Sequence, residues 1–531
     1  MFAAIARFEL RYQLRNPVFW VVTILFFLLT FGSMTIDQIQ IGSGGNVHKN
    51  AATALARVHI TMSIFFMFVT TAFVANVVVR DDESGFGAIV RSTPVGKASY
   101  LLARFAGAFA AAAVAFLAVP VAMWLGSLMP WLDPETLGPN RPGDYLYAYA
   151  LLALPNLFLT SCIFFAVATT TRSMTYSYLA VIVFLVLYFS LTGIIAGKPD
   201  WRETVAHVEP FGMGAFGWVT RYWTAAEANG GMPAFAGILA INRLICLSMG
   251  AVSLALAYVR FSFAERGASK RRLRREQRRA AKLATRLPEI VPVLPPTDPA
   301  GARWAQLLAR TRFEMALIFR SPGFVIMVAI GLANVVARLL VSGERYGTPT
   351  YPLTFAIIDQ LTGAFAIMPL IIAIYYAGEL VWRDRERGMN EIVDATALPN
   401  WAYMVPKTLA VAGVLVTTLL VSVLAAMAVQ LSRGVTVLAP DEYLGWYVAP
   451  LAVDFVLIAI LAVFIQAISP NKYVGWAVMV VYFVATSVFS TIGWEHPLYL
   501  YGSTGSTKLS DLNGAVLAER HRAMAEPGTA E

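Results

Sequence analysis

Charge is scarce in this chain: 14% of its 531 residues are Asp, Glu, Lys or Arg, where soluble domains carry about a quarter. There are five histidines and no HExxH among them, which excludes the helical zinc-peptidase motif. The two cysteines, Cys162 and Cys246, both fall inside apolar runs. They read as buried thiols, not as a disulfide framework or a metal site. No G-x-x-x-x-G-K-[ST] occurs. Gly96-Lys97 is followed by Ala98 and lacks the earlier glycine, so no phosphate cradle is formed. On these absences neither enzymatic activity nor a resident cofactor is expected.

Apolar residues are what it has, at 58%. They cluster in runs of about twenty, the length of helix needed to cross roughly 30 Å of hydrocarbon; a membrane β-barrel would need short alternating strands instead. Eleven spans are predicted, near 18–36, 58–79, 105–129, 146–169, 174–196 and 238–259, then 323–341, 353–380, 407–431, 446–468 and 473–493. The fold class is an all-α polytopic membrane protein. The first run follows a charged segment and is long enough to anchor, so no cleavable signal peptide is evident.

The net charge of +9 is local. Residues 260–286 hold eleven Lys/Arg and two Glu, which is the whole excess. Aromatic or base-reading partners for nucleic acid are missing there, and a loop lying against anionic lipid fits better. With that linker on the cytoplasmic side, alternate loops place 28 Lys/Arg inside and seven outside, so the N-terminus is expected in the cytoplasm.

The chain also repeats itself. RFELRYQLRNPVF (7–19) aligns with RFEMALIFRSPGF (312–324) at six of thirteen positions. RDDESGFGAIVRST (80–93) aligns with RDRERGMNEIVDAT (383–396) at seven of fourteen, and Tyr100 and Tyr403 extend that register. The first segment precedes the opening span of each half; the second joins the second and third spans. Both halves face the same way, so the repeat is parallel. The expected domains are 1–263 and 303–510 as two permease-like halves, 264–302 as a basic, Pro-rich linker, and 511–531 as a polar tail. The second half shows no sixth apolar run; either the chain is cut short or a partner supplies that helix.

The charged knots repeat along with the halves. Each follows an apolar helix and precedes an Ile-Val pair, spacing that suits a short surface helix with Ile89/Val90 or Ile392/Val393 on its buried side. Mixed charges that merely stop a helix from sliding are the plain alternative, but orientation alone needs only positive ones. In residues 2–15, Phe2, Ile5, Phe8 and Tyr12 form one stripe, and Arg7, Arg11 and Arg15 another. Asn16-Pro17 then breaks this interfacial helix before the membrane. Arg312, Phe313, Arg320 and Pro322 repeat the design.

An interfacial elbow, a charged segment between the second and third helices, and an outer loop before the sixth resemble permeases of the ABC-2 export type, once per half. The duplicated halves and the WEHPLYLYG ending look most like bacterial proteins in which such a permease precedes a zinc aminopeptidase domain, which is absent here. The resemblance implies two six-helix repeats in a bacterial inner membrane, with separate ATP-hydrolysing subunits, two copies, as partners. It implies that these subunits dock on Arg80, Asp81, Glu83 and Gly85 in one half and on Arg383, Asp384, Glu386 and Gly388 in the other. A non-transporting anchor for a peptidase or other partner is the alternative.

Polar residues inside spans are costly and mark candidate function. Asn156 aligns with Asp454 at matching depth in the two halves and is a candidate lining of a translocation path, against a structural hydrogen bond as the plain reading. His207 and Glu209, and Glu495 and His496, recur before each sixth-span position; two ligands per loop are too few for a metal site.

Overall fold

The computed structural model describes residues 1–36, 44–83, 87–196, 199–261, 299–341, 353–365, 367–395, 400–435 and 438–491, with two-residue pieces elsewhere. Most of the basic linker and the WEHPLYLYG and tail segments, where a twelfth span was sought, lie outside these residues.

The described chain is a helical bundle. The first half runs α1 (Phe2–Arg15), α2 (Pro17–Thr35), α3 (Ala52–Glu83), α4 (Gly87–Ser92), α5 (Lys97–Phe116), α6 (Ala118–Gly126), α7 (Pro142–Tyr147), α8 (Leu154–Thr171) and α9 (Met174–Ala196). It closes with three short helices, α10 (Arg202–Val208), α11 (Met213–Val219) and α12 (Ala225–Gly230), before α13 (Gly237–Arg260). The second half follows the same order with α14 (Pro299–Phe319), α15 (Pro322–Val341), α16 (Thr354–Phe365), α17 (Ile367–Glu386), α18 (Asn390–Asp394), α19 (Asn400–Ser432), α20 (Pro440–Tyr443), α21 (Ala449–Ile468) and α22 (Lys472–Thr491).

Helices occupy all eleven predicted runs. Among the described residues, eight helices are long and apolar enough to cross a membrane, and the bent pair α16/α17 makes a ninth. The count is lower than eleven because α9 qualifies only as a shorter apolar helix and α22 does not meet the test in its described part.

Local chemistry sets the breaks. Asn16 is extended and its side chain accepts from the Val18 N–H at 3.0 Å, so α1 stops and Pro17 opens α2. In the second half Ser321 takes that place, accepting from the Phe324 N–H at 3.2 Å ahead of Pro322. A π-turn over Ala148–Ala153 leads into α8, and another over Leu444–Val448 leads into α21. Each precedes a proline, Pro155 and Pro450, which has no N–H to offer the helix.

The halves share a core. Leu179, Ile182 and Val186 of α9 pack in one cluster with Phe324, Met327 and Tyr376 of the second half. A Cβ on Gly323 would lie 3.3 Å from the Leu179 side chain, so α15 and α9 approach closely there. Tyr178 and Trp476, aligned at an offset of 298, meet edge to face with ring centroids 5.6 Å apart.

Beyond α9 the first half is closed by a polar cap. Asn50 exchanges hydrogen bonds with the Gly138 backbone at 2.6 and 2.7 Å, and the His48 N–H donates to Asn229. A capping box of Thr224 and Glu227 starts α12; the Thr224 N–H and hydroxyl hold the Glu227 carboxyl below the usual carboxylate range.

Candidate functional site: two charged brackets

Glu9 lies on the face of α1 turned to the protein and is fully buried. A buried carboxylate needs a partner, and Arg80, near the end of α3, supplies a two-point fork with contacts at 2.9 and 3.3 Å. Gln13, one turn along α1, donates to Glu9 and to the Phe73 carbonyl of α3. The Arg80 guanidinium also lies 4.1 Å from the Tyr12 ring centroid. The next residue, Asp81, turns the other way. It accepts from the Tyr100 hydroxyl at 2.7 Å and pairs with Arg104 at 2.8 Å, both on α5. Arg104 further donates to the Val77 carbonyl. Two adjacent residues of α3 thus hold α1 on one side and α5 on the other.

The second half repeats this bracket. Glu314 of α14 is fully buried and pairs with Arg383 of α17 at 2.8 Å. Asp384 accepts from Tyr403 at 2.9 Å and pairs with Lys407 at 3.0 Å on α19, while Lys407 also donates to the Leu380 carbonyl. Arg80, Asp81, Tyr100, Arg104 and Val77 map to Arg383, Asp384, Tyr403, Lys407 and Leu380 at a single offset of 303, and Glu9 maps to Glu314 at 305. The second bracket has one extra cation, Arg310, 3.2 Å from Glu314 and 3.7 Å from Asp384. Hydrogen bonds to charged groups contribute about 1.5–3 kcal/mol each, so each bracket couples three helices rigidly.

The brackets engage four of the knot residues within the protein. Asp81 and Asp384 are buried and Arg80 and Arg383 are engaged, so these four face inward. Glu83 ends α3, and Gly85 lies outside the described residues. Glu386 is half exposed and pairs with Lys472. Gly388 takes φ +64°, with Met389 N–H donating to the Asp384 carbonyl and Gly388 N–H to that of Arg385. That is a Schellman ending, and it is why a glycine follows the charges.

The surface helices α4 and α18 form as expected, and the rest of the described protein leaves their isoleucines uncovered. Ile89 is 58% and Ile392 62% exposed. The elbow stripe turns outward as well: Phe2, Phe8 and Tyr12 are exposed, and the polar Glu9 and Gln13 face the bundle. Arg7, Arg11, Arg15, Arg312 and Arg320 are exposed along the elbows. Glu9 and Glu314, the anchors of both brackets, were missed as site residues although both lie inside the repeated RFE signature. Arg104 and Lys407 were missed because they differ in type between the halves.

Asn156 sits elsewhere, in a sealed cluster where α8 and α13 meet the loop after α10. Its amide donates to Ser63 and the Phe211 carbonyl, and its oxygen accepts from Arg243 at 2.6 Å. Asn242 donates to the carbonyls of Ala206, His207 and Glu209, and Glu209 accepts from the N–H groups of Phe211 and Gly214. Asn156 is thus hydrogen-bonded through both its nitrogen and its oxygen, and Asp454 is half-buried on α21. No group of three or more His, Cys, Asp or Glu that could hold a metal ion is present among the described residues.

A stretch of 99 residues is 33% identical to the Na(+)/H(+) antiporter NhaA of Thermobifida fusca (strain YX), covering 16% of this chain and 24% of that protein. The chain therefore spans about a quarter of the length of this curated relative. The broader match is to a family model described as ABC-2 family transporter protein, which covers residues 3–266 and with them α1 to α13. By this match over about half its length, and as an all-α membrane bundle, the chain belongs to the ABC-2 transporter family.

Proposed function

We propose that the chain is the membrane-spanning permease subunit of an ATP-driven exporter, and that separate ATP-hydrolysing subunits, one per half, dock on the turns after α3 and α17. One observation carries this reading. Behind each exposed isoleucine stands a bracket that ties the helix bearing the knot to its two neighbours. A push on α4 or α18 would reach α1, α3 and α5, or α14, α17 and α19, together and not one helix alone.

In this reading Ile89 and Ile392 are the apolar contacts of the docking surface, with Glu83, Glu386 and Arg385 around them. Arg80, Asp81, Arg383 and Asp384 transmit and do not touch the partner, while Gly85 and Gly388 end the helices so that the segments can turn. The exposed arginines of the elbows lie against lipid headgroups. The domains are two halves, 1–263 and 303–510, joined by the linker 264–302 and followed by the tail 511–531. The protein sits in the bacterial inner membrane with its N-terminus in the cytoplasm.

Co-purification in mild detergent tests the reading. The wild type should bring down an ATP-binding-cassette subunit, and Ile89→Asp/Ile392→Asp should lose it while remaining monodisperse. Equal recovery with both proteins would remove these turns as docking sites.

A further inference from the structure

The two brackets match, but the helix ends beside them do not. In the second half Lys472, the first residue of α22, is almost fully buried and lies between two carboxylates of α17: Glu386 at 2.7 Å and Glu379 at 3.1 Å. A buried ammonium is retained only where carboxylates neutralise it. The packing around it is close. A Cβ on Gly378, beside Glu379, would collide with Trp476 of α22, and Trp382 of α17 donates to Gln466, whose amide in turn donates to the Lys472 carbonyl.

The first half is written differently at these positions. At the offsets that align the halves, Glu379 corresponds to Asn76 and Lys472 to Met174, so the cation and one of its carboxylates are replaced together by neutral residues. Glu386 keeps its counterpart, Glu83. A glutamate is therefore present at both docking segments.

We propose that Lys472 is an ionic latch that ties the second docking segment to α22 through Glu386. The inference rests on the reading of Arg383–Gly388 as a segment on which an ATP-hydrolysing subunit seats. Such a subunit must take Glu386 from Lys472, so the second end engages more weakly until the latch opens, and opening it frees α22 from α17. α17 and α22 then separate only when the second subunit is seated.

The test uses the full chain in lipid nanodiscs. Spin labels at the exposed Arg385 and Pro470 report the α17–α22 separation by double electron–electron resonance, with single-label controls for the two buried native cysteines. The binding probe is the ATP-binding-cassette subunit that co-purifies with the wild type. Lys472→Met, the residue of the first half, should lengthen and broaden the distance distribution without the partner and tighten its binding roughly two- to five-fold, the range of a partly exposed pair. Lys472→Arg should behave as the wild type. Glu379→Gln weakens the same latch while leaving Glu386 in place; it should shift both readouts in the same direction and decides the matter if Lys472→Met is not recovered folded. An unchanged distance overturns the latch, as does a lengthened one with equal or weaker binding. If no ATP-binding-cassette subunit accompanies the wild type, the docking reading fails, and the proposal falls with it whatever the distances show.

Discussion

Glu9 and Arg80 are 71 residues apart and meet in a two-point fork, and Glu314 and Arg383, 69 apart, meet in the same place of the other half. Neither carboxylate is reached by solvent. Removing one partner of a buried pair leaves an uncompensated charge, at a cost of about 3–5 kcal/mol. Arg80→Met should therefore destabilise strongly, measured as loss of monodisperse protein on heating in detergent. Glu9→Leu/Arg80→Met together should be much milder than either change alone, and an additive double variant would contradict a paired role.

α1 lies so close to α5 at Gly107 that a Cβ there would sit 2.6 Å from the Ala6 carbonyl oxygen and 2.7 Å from the Glu9 Cβ. Overpacking of a tight contact costs typically about 1–3 kcal/mol. Gly107→Ala should displace the elbow and lower the melting temperature. Gly143→Ala, where nothing lies within 4 Å, should leave it unchanged.

Gly388 ends α17 in the left-handed region, where an L side chain costs about 1–2 kcal/mol. A Cβ there meets nothing within 4 Å, so the penalty is conformational and not steric. Gly388→Ala should cost on that order in thermal stability and re-aim α18, while Gly388→Asn, a residue that visits this region, should cost less. Equal effects of the two would show that the turn does not depend on this conformation.

Arg243 is buried, and it joins α13 to Asn156 of α8 and to the Pro210 carbonyl; Gly212 is left-handed, and its missing side chain makes room for the guanidinium. Arg243→Ala should free the segment around α10 and α11, with faster labelling of a cysteine placed at Ala206, which is buried in the parent. Wild-type labelling rates in that variant would show that Arg243 does not hold the segment down.

The membrane class, the elbows and the positions of the helices were legible because apolar length and Asn-Pro or Ser-Pro breaks are local signals. The repeat was legible because Arg80, Asp81, Glu83 and Gly85 recur as a block. What the sequence did not disclose is which way these side chains point. A run such as RDRERG looks like a solvated tip, yet Arg383 and Asp384 turn inward because a buried glutamate on α14 and a buried lysine on α19 await them. The same pairing sets the elbow: Glu9 faces the bundle, and the aromatic stripe of Phe8 and Tyr12 faces outward. Such facing depends on partners about 70 residues away, beyond the reach of periodicity. Ile89 and Ile392 are uncovered by the rest of the described protein, and hydrophobicity alone cannot tell a side that lies in lipid from one left open for another chain.

The most direct test is the recovery of an ATP-binding-cassette subunit with the detergent-purified chain, comparing wild type with Ile89→Asp/Ile392→Asp. Both isoleucines are exposed, so the double variant should keep its brackets, its monodispersity and its melting temperature. The account predicts a subunit present with the wild type and lost from the variant. No such subunit with the wild type, or undiminished recovery with the variant, would contradict it.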